Sequence, residues 1–166
     1  MLDGAPAQVQ IYTGDGKGKS TAAFGLAMRM AGCGGRAFVI QFRKARDCGE
    51  RESAQKLGIE LRLCPVGRAG EKCPGRCPLL IAAHNILQNE RPDLLVLDEI
   101  MAAIRAGCLA EDDALSLIDE AGGAEIVMTG RRPPEALLRR ADLVTEMKKI
   151  KHYYDKGLPA RRGVEF

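Results

Sequence analysis

The chain of 166 residues contains no tryptophan, and its aromatic residues make up only 4% of the sequence. It also lacks an apolar run long enough to cross a membrane as a helix, and no signal-peptide pattern begins the sequence. We therefore expect a cytoplasmic protein without a membrane partner, in which the cysteines stay reduced. The net charge of +3 is too small to indicate binding to nucleic acid.

The composition is that of one ordinary globular domain. Charged residues make up 28% of the chain and hydrophobic residues 46%, both of which are usual for a folded protein. We expect a single domain over residues 1–166, which buries about 70% of the surface of its unfolded chain. Three segments are expected to be irregular: a flexible arm at 1–7, a Cys/Pro-rich loop at 64–78 and a basic C-terminal tail at 148–166.

Strand-like and helix-like segments alternate along the chain. Short apolar or alternating runs predict strands at residues 9–12, 37–40, 59–63, 93–97, 125–128 and 143–145. Helical patterns occupy residues 19–31, 50–57, 79–89, 99–121 and 133–141. This alternation predicts an α/β fold with a mainly parallel sheet of about five or six strands, flanked by helices.

A glycine-rich segment lies between the first predicted strand and the first predicted helix, and it reads Thr13-Gly14-Asp15-Gly16-Lys17-Gly18-Lys19-Ser20-Thr21. This order is the context of a phosphate-binding P-loop. Glycines let successive backbone N–H groups converge on phosphate oxygens, and the following helix presents its positive end to them. Lys19 adds a cation, and the Ser20 hydroxyl suits Mg²⁺.

The P-loop interpretation has one irregularity, because the strict pattern G-x-x-x-x-G-K-[ST] places glycine where this chain has Thr13. A flexible Gly/Lys turn is the alternative, but the flanking strand and helix favour a nucleotide site. We therefore expect a P-loop NTPase-like (RecA-like) domain. The predicted ATP-binding residues in the loop are Gly14, Asp15, Gly16, Lys17, Gly18, Lys19, Ser20 and Thr21.

Two carboxylates, Asp98 and Glu99, follow the apolar run 94–97 directly. A continuous apolar run predicts a strand buried on both faces, and ligands bind at the carboxyl ends of such strands. We expect Asp98 and Glu99 to hold Mg²⁺ together with Ser20, directly or through water. The alternative is an acidic first turn of a helix.

The C-terminal part of the chain carries further motifs, among them Val144-Thr145-Glu146-Met147, Lys151-His152 and Gly163-Val164-Glu165-Phe166. These resemble the C-terminal signature of the ATP:corrinoid adenosyltransferases. Residues 12–25, 41–44, 97–100 and 128–131 resemble the same family, so the likeness covers most of residues 8–45 and 92–166. The family's loop resembles T-G-x-G-K-G-K-[ST], which accommodates Thr13.

The resemblance implies transfer of the 5′-deoxyadenosyl group of ATP to the cobalt(I) of a reduced corrinoid, with release of triphosphate. The corrinoid would be cobalamin, cobinamide or cobyrinic acid a,c-diamide, in the biosynthesis or salvage of adenosylcobalamin. ATP, Mg²⁺, an electron donor such as a flavoprotein reductase, and a homodimer are implied as well.

The same resemblance assigns roles to individual residues. Lys19, Glu99 and Arg29, which lies ten residues after Lys19, would be catalytic, and Arg29 would also contact the phosphates. For Glu146, Met147 and His152 the alternatives are a solvated carboxylate, a core methionine and a surface histidine. The residues assigned to corrinoid binding are Gln41, Phe42, Lys44, Glu146, Met147, Lys151 and His152.

The middle of the chain departs from the family, whose members usually carry aromatic residues there. Instead Cys64, Cys73 and Cys77 are each followed by proline, and Cys48 lies upstream. These thiolates could hold zinc or an iron–sulfur cluster. The alternatives are reduced loop cysteines in proline turns, or a disulfide formed on oxidation. Because aromatic residues that help to displace a lower base are missing, we also expect a preference for corrinoids without one.

Two other functions remain open from the sequence. The protein could be a P-loop ATPase or phosphotransferase that cleaves ATP at the γ-phosphate, or a sensor that binds ATP and corrinoid without turnover. A triphosphate product separates the transferase from the first alternative, and a new cobalt–carbon bond separates it from the second.

The cysteine hypothesis predicts that the purified protein contains zinc, or iron with sulfide, in stoichiometric amounts. Elemental analysis and a sulfide assay measure this directly. Protein with zinc, iron and sulfide all at background would contradict the hypothesis.

Overall fold

The computed structural model describes residues 7–43, 49–66 and 75–165. Its strands are β1 Val9–Thr13, β2 Ala37–Gln41, β3 Glu60–Leu63, β4 Leu94–Asp98, β5 Glu125–Thr129 and β6 Leu143–Glu146. Its helices are α1 Lys19–Gly32, α2 Gly49–Lys56, α3 Pro78–Asn85, α4 Ile100–Arg105, α5 Glu111–Asp119 and α6 Glu135–Arg140. A π-helical stretch, Ile86–Glu90, continues α3, and a 3₁₀ turn covers Tyr153–Lys156.

The strands form one six-stranded sheet in the order β3-β2-β4-β5-β1-β6, and every neighbouring pair is parallel. The predicted α/β class with helices around a parallel sheet is therefore confirmed. The pairing places Gln41 beside Asp98, and Thr13 beside Glu146, at the carboxyl ends of their strands. The segments that follow these strands meet at one edge of the sheet.

The central strands explain why their sequences are continuously apolar. Every residue of β2 and β4 is buried. Leu95 and Leu97 pack in the hydrophobic cluster on one face of the sheet, whereas Leu94 and Val96 pack in the cluster on the other face, against Ala23 and other α1 residues. Helices cover both faces, so no residue of such a strand faces water.

Most element boundaries differ from the sequence prediction by one or two residues, and two differences bear on the site. The helical region 99–121 is two helices, since α4 ends at Arg105 and Gly107 adopts a positive φ of 68° before α5 begins. The predicted strand 143–145 extends to Glu146 and forms a sheet edge whose residues are all exposed. In the three described ranges, no helix combines the length and apolarity that a membrane crossing requires.

Replacement of Gly130 by alanine should destabilise the fold. Gly130 has a φ of +141°, and a Cβ there would lie 2.6 Å from the Cβ of Met101. The loss should be about 2–4 kcal/mol in the free energy of unfolding, measured with urea. Gly123→Ala is the matched control, because a Cβ at Gly123 meets nothing within 4 Å. Equal stabilities of the two variants would contradict this packing.

Candidate functional site

The P-loop lies against the segment that follows β6. Gly14 and Gly18 have φ values of 97° and 117°, which glycine adopts without strain. The Gly16 N–H donates to the Met147 carbonyl oxygen at 2.6 Å, and the Met147 N–H donates to the Thr13 carbonyl oxygen at 2.8 Å. A Cβ at Gly14 or Gly16 would lie 2.5 Å from that Met147 oxygen. The glycines are therefore required by the close approach of Met147 as well as by the loop's shape.

Lys19 begins α1 and lies along the inside of the loop, where it is only 7% exposed. Its ammonium donates to the Gly14 carbonyl oxygen at 2.8 Å and to the Gly16 carbonyl oxygen at 2.7 Å. Burial lowers the pKa of Lys19, and the positive charge of Arg131 acts in the same direction. This ammonium is held at the loop, where it can exchange carbonyl oxygens for phosphate oxygens.

Asp98 connects the carboxyl ends of three strands. It is completely buried, and its two carboxylate oxygens accept hydrogen bonds from Gln41 Nε2 of β2 at 2.9 Å and from Thr129 Oγ1 of β5 at 2.7 Å. Thr129 was not among the predicted site residues. The available signal was its place at the end of a buried strand next to β4. Both oxygens of Asp98 are thus engaged by the protein itself.

Glu99 turns the chain from β4 into α4 with a φ of 59°, a left-handed conformation that is uncommon for a non-glycine residue. Its N–H donates to Thr129 Oγ1 at 2.9 Å. Within the part of the chain that the structure describes, its carboxylate makes no hydrogen bond or ion pair. Burial raises the pKa of Glu99, and the neighbouring Asp98 raises it further. This carboxylate is placed to receive a cation.

Two cavities flank the P-loop. The first, here the charged cavity, has a volume of about 640 Å³, and its side chains include Arg43, Glu99, Arg131 and His152. The second, here the apolar cavity, has a volume of about 580 Å³ and is lined by apolar side chains on one side. These include Phe24, Met28, Leu57, Ile59 and Val164. Both cavities share several residues, namely Lys17, Lys19, Ser20, Glu99 and Glu165.

Ser20 and Glu99 line both cavities, so a hydroxyl and a carboxylate oxygen face the same space as Lys19. Oxygen donors of this kind suit Mg²⁺, which also keeps several of its waters. Asp98 would act on such an ion through water, because it is completely buried and lines neither cavity. The donor set fits the predicted magnesium.

The structure brings some of the other predicted residues to the site. His152 and Asp15 line the charged cavity, and Asp15 forms an ion pair with Arg131 at 3.5 Å. Thr21 lines the apolar cavity. Glu146 is exposed. It lies beside Gly14, because a Cβ added to Gly14 would be 2.9 Å from the Glu146 Cγ.

Other predicted residues lie apart from the cavities. Gln41 and Phe42 are buried beneath the site and line neither cavity. Lys151 is exposed, and it also lines neither cavity. Arg29 lies exposed in the last turn of α1, about 15 Å along the helix axis from Lys19. Lys44 lies outside the described residues.

The cysteine loop is described only in part. Cys64 and Cys77 are free and buried in the same hydrophobic cluster, and the Cys64 thiol donates to the Val66 carbonyl oxygen at 3.0 Å. Cys48 and Cys73 lie outside the described residues. Among the residues that are described, no group of three or more His, Cys, Asp or Glu side chains could hold a metal ion. The zinc or iron–sulfur hypothesis therefore remains a prediction.

The parallel sheet, the P-loop after β1 and the carboxylates Asp98 and Glu99 at the end of β4 place the protein in the class of P-loop nucleotide-binding proteins. Within that class, the sequence profile of the family ATP:corrinoid adenosyltransferase BtuR/CobO/CobP matches residues 6–166. That match spans nearly the whole chain, so the protein belongs to the ATP:corrinoid adenosyltransferase family.

Curated relatives agree with this assignment. The chain is 30% identical to corrinoid adenosyltransferase CobA of Salmonella typhimurium, over 94% of this chain and 84% of the relative. It is 35% identical to a corrinoid adenosyltransferase of a Sinorhizobium species, over 94% of this chain and 78% of the relative. It is 32% identical to a corrinoid adenosyltransferase of Pseudomonas aeruginosa, over 94% of this chain and 82% of the relative.

Glu99→Gln should stabilise the protein at neutral pH. A carboxyl group whose pKa is raised on folding opposes folding when it is ionised, and this cost vanishes below its unfolded pKa of about 4.3. The variant should therefore exceed the wild type in free energy of unfolding at pH 7.5, and the gap should shrink as the pH falls towards 5. Urea unfolding at both pH values measures this, and a gap that does not change with pH would contradict it.

Proposed function

We propose that the protein transfers the 5′-deoxyadenosyl group of ATP to the cobalt(I) of a reduced corrinoid and releases triphosphate. The observation that carries the proposal is that the family's sequence profile spans the same residues that build the P-loop and the acidic end of β4. Adenosylcobalamin biosynthesis or salvage in the cytoplasm is the proposed setting.

The proposed reaction needs no covalent bond between the protein and either reactant. Cobalt(I) is itself a strong nucleophile, so attack on C5′ forms the cobalt–carbon bond while the C5′–oxygen bond breaks. The electron pair of that bond leaves on the triphosphate. No side-chain base is needed, and the protein must hold the two reactants in line. It must also stabilise the charge that develops on the leaving group.

The P-loop supplies that stabilisation. We propose that the backbone N–H groups after Gly16, together with Lys19, contact the triphosphate, with Gly14 giving the loop its shape; the Gly16 N–H itself donates to Met147. Arg131 lines the same charged cavity and adds a further cation. Arg29 is also proposed as a phosphate ligand. In this structure it lines neither cavity.

The proposed magnesium ligands are Ser20 and Glu99, with Asp98 acting through water. When it is bound, Mg²⁺ neutralises charge on the phosphate oxygens. The chain's own part is to fix the backbone of the two residues that carry the ligand atoms. Ser20 lies in the first turn of α1, and Glu99 is fixed by the hydrogen bond from its N–H to Thr129 Oγ1.

The corrinoid contacts are proposed for His152, Met147, Glu146 and Lys151, which lie in or beside the segment after β6, and for Lys44. Gln41 and Phe42 would act indirectly by supporting the floor of the site, because both are buried. Since the chain contains no tryptophan, we propose that it prefers corrinoids without a lower base. A flavoprotein electron donor and a homodimer complete the proposal.

The test is an anaerobic reaction of the protein with ATP, Mg²⁺ and chemically reduced cob(I)inamide. Absorbance follows the cobalt–carbon bond, and anion chromatography identifies the phosphate product. Adenosylated corrinoid and triphosphate should appear in equal amounts. Orthophosphate without a cobalt–carbon bond would support the ATPase alternative and contradict the proposal.

Lys19→Ala should lower kcat by about 100-fold or more, because it removes a preorganised cation from the leaving group. Lys56→Ala, a change of an exposed lysine in the last turn of α2, is the matched control and should keep the wild-type rate. A Lys19→Ala variant that is folded and retains full activity would contradict the role of the loop.

A further inference from the structure

Lys17 makes contacts that its place in the P-loop does not predict. Its ammonium donates to Tyr153 Oη at 2.9 Å, to the Val164 carbonyl oxygen at 2.8 Å and to Glu165 Oε1 at 2.9 Å. An ammonium has three N–H donors, and these three acceptors use all of them. All three acceptors belong to the C-terminal tail, so Lys17 has no donor left for a phosphate in this arrangement.

Glu165 is the centre of this contact. Its Oε1 also accepts a hydrogen bond from the Tyr153 hydroxyl, and its Oε2 accepts one from the Arg161 N–H at 2.7 Å. The Arg161 guanidinium lies 5.1 Å from the centroid of the Tyr153 ring. The hydrogen bonds from Tyr153 and Lys17 hold the pKa of Glu165 well below its usual range. We call Lys17, Tyr153, Arg161 and Glu165 the tail clasp.

The tail clasp lies where the two cavities meet. Lys17 and Glu165 line both cavities, and Gly163 and Val164 line the apolar cavity. His152, the residue before Tyr153, lines the charged cavity. The segment 161–165 is therefore a wall of the site, fastened to the P-loop through the side chain of one lysine.

The charges indicate which role suits Lys17. If Lys17 left Glu165 to bind a phosphate, an ionised carboxylate would remain beside the triphosphate without its lysine partner and would repel it. With Lys17 in the clasp, that carboxylate is neutralised, and Lys19 still provides a cation at the loop. The arrangement favours separate roles for the two lysines: Lys17 holds the tail, and Lys19 contacts the phosphates.

We propose that Tyr153 and Glu165 are positioning residues that hold segment 161–165 as a fixed wall of the corrinoid site, and that Lys17 serves this wall instead of the phosphates of ATP. The kinetic part of this proposal rests on the proposed adenosyltransferase function. The structural part, that the tail is attached to the loop, is independent of that function.

The kinetic test compares Lys17→Met, Tyr153→Phe and Glu165→Gln in the anaerobic assay. Each should raise the corrinoid KM by about threefold to tenfold, because the lost hydrogen bonds act on the corrinoid only through the position of the wall and only part of their strength is felt there. The value of kcat and the ATP KM should stay within about twofold of wild type, since Lys19 and the loop remain intact. The double variant Lys17→Met/Glu165→Gln should raise the corrinoid KM by less than the product of the two single effects, because the Lys17–Glu165 contact is common to both.

Tyr154→Phe and Glu135→Gln are the matched controls, because both residues are exposed and lie outside the clasp. Both should keep wild-type constants. The proposal is overturned if Lys17→Met raises the ATP KM while Tyr153→Phe and Glu165→Gln leave it unchanged or lower it. That pattern would mean that Lys17 binds phosphate.

A second measurement does not depend on turnover. Trypsin should cut the ATP-free variants after Arg161 and Arg162 at least about threefold faster than the wild type, because loss of a clasp contact frees the segment. Faster cutting in a protein that forms no cobalt–carbon bond would support the clasp and contradict only the proposed function. Equal cutting rates in folded variants, confirmed by circular dichroism, would overturn the clasp itself.

Discussion

The buried carboxylate of Asp98 is the interaction on which the site depends. A completely buried carboxylate is costly unless hydrogen bonds satisfy it, and here Gln41 and Thr129 supply them. Those two bonds fix the ends of three parallel strands relative to one another. Thr129 also accepts the Glu99 N–H, so the same cluster fixes the left-handed turn that carries Glu99 into the cavities. Loss of any member would affect the position of the others.

The P-loop is held from its other side by the chain after β6. The backbone of Met147 binds Thr13 and Gly16, and farther along the tail Glu165 binds Lys17. The features that make the site reactive oppose stability: Lys19 is buried, and Glu99 is half-buried and left-handed. Loss of contact with water lowers the pKa of Lys19 and raises that of Glu99, which in both cases disfavours the charged form. Such costs are typical of functional sites and require a rigid surrounding fold.

The fold class and the nucleotide loop could be predicted from the sequence because both depend on local patterns. The apolar run before Asp98 indicates a central strand, and the glycines with Lys19 indicate a phosphate loop. The contacts of Thr129, Met147 and Glu165 could not be predicted, since each joins residues far apart in the chain and depends on strand order. Gln41 shows the same limit: its motif suggested corrinoid contact, whereas its side chain is buried against Asp98.

The central claim is that ATP reacts at C5′, and an isotope label tests it most directly. ATP carrying ¹⁸O in the bridge between C5′ and the α-phosphorus would be incubated with the protein, Mg²⁺ and reduced corrinoid, and the products examined by ³¹P NMR. If ATP reacts at C5′, the label leaves entirely with triphosphate, because the carbon–oxygen bond breaks. Label retained in ADP, with unlabelled orthophosphate as the second product, would contradict it.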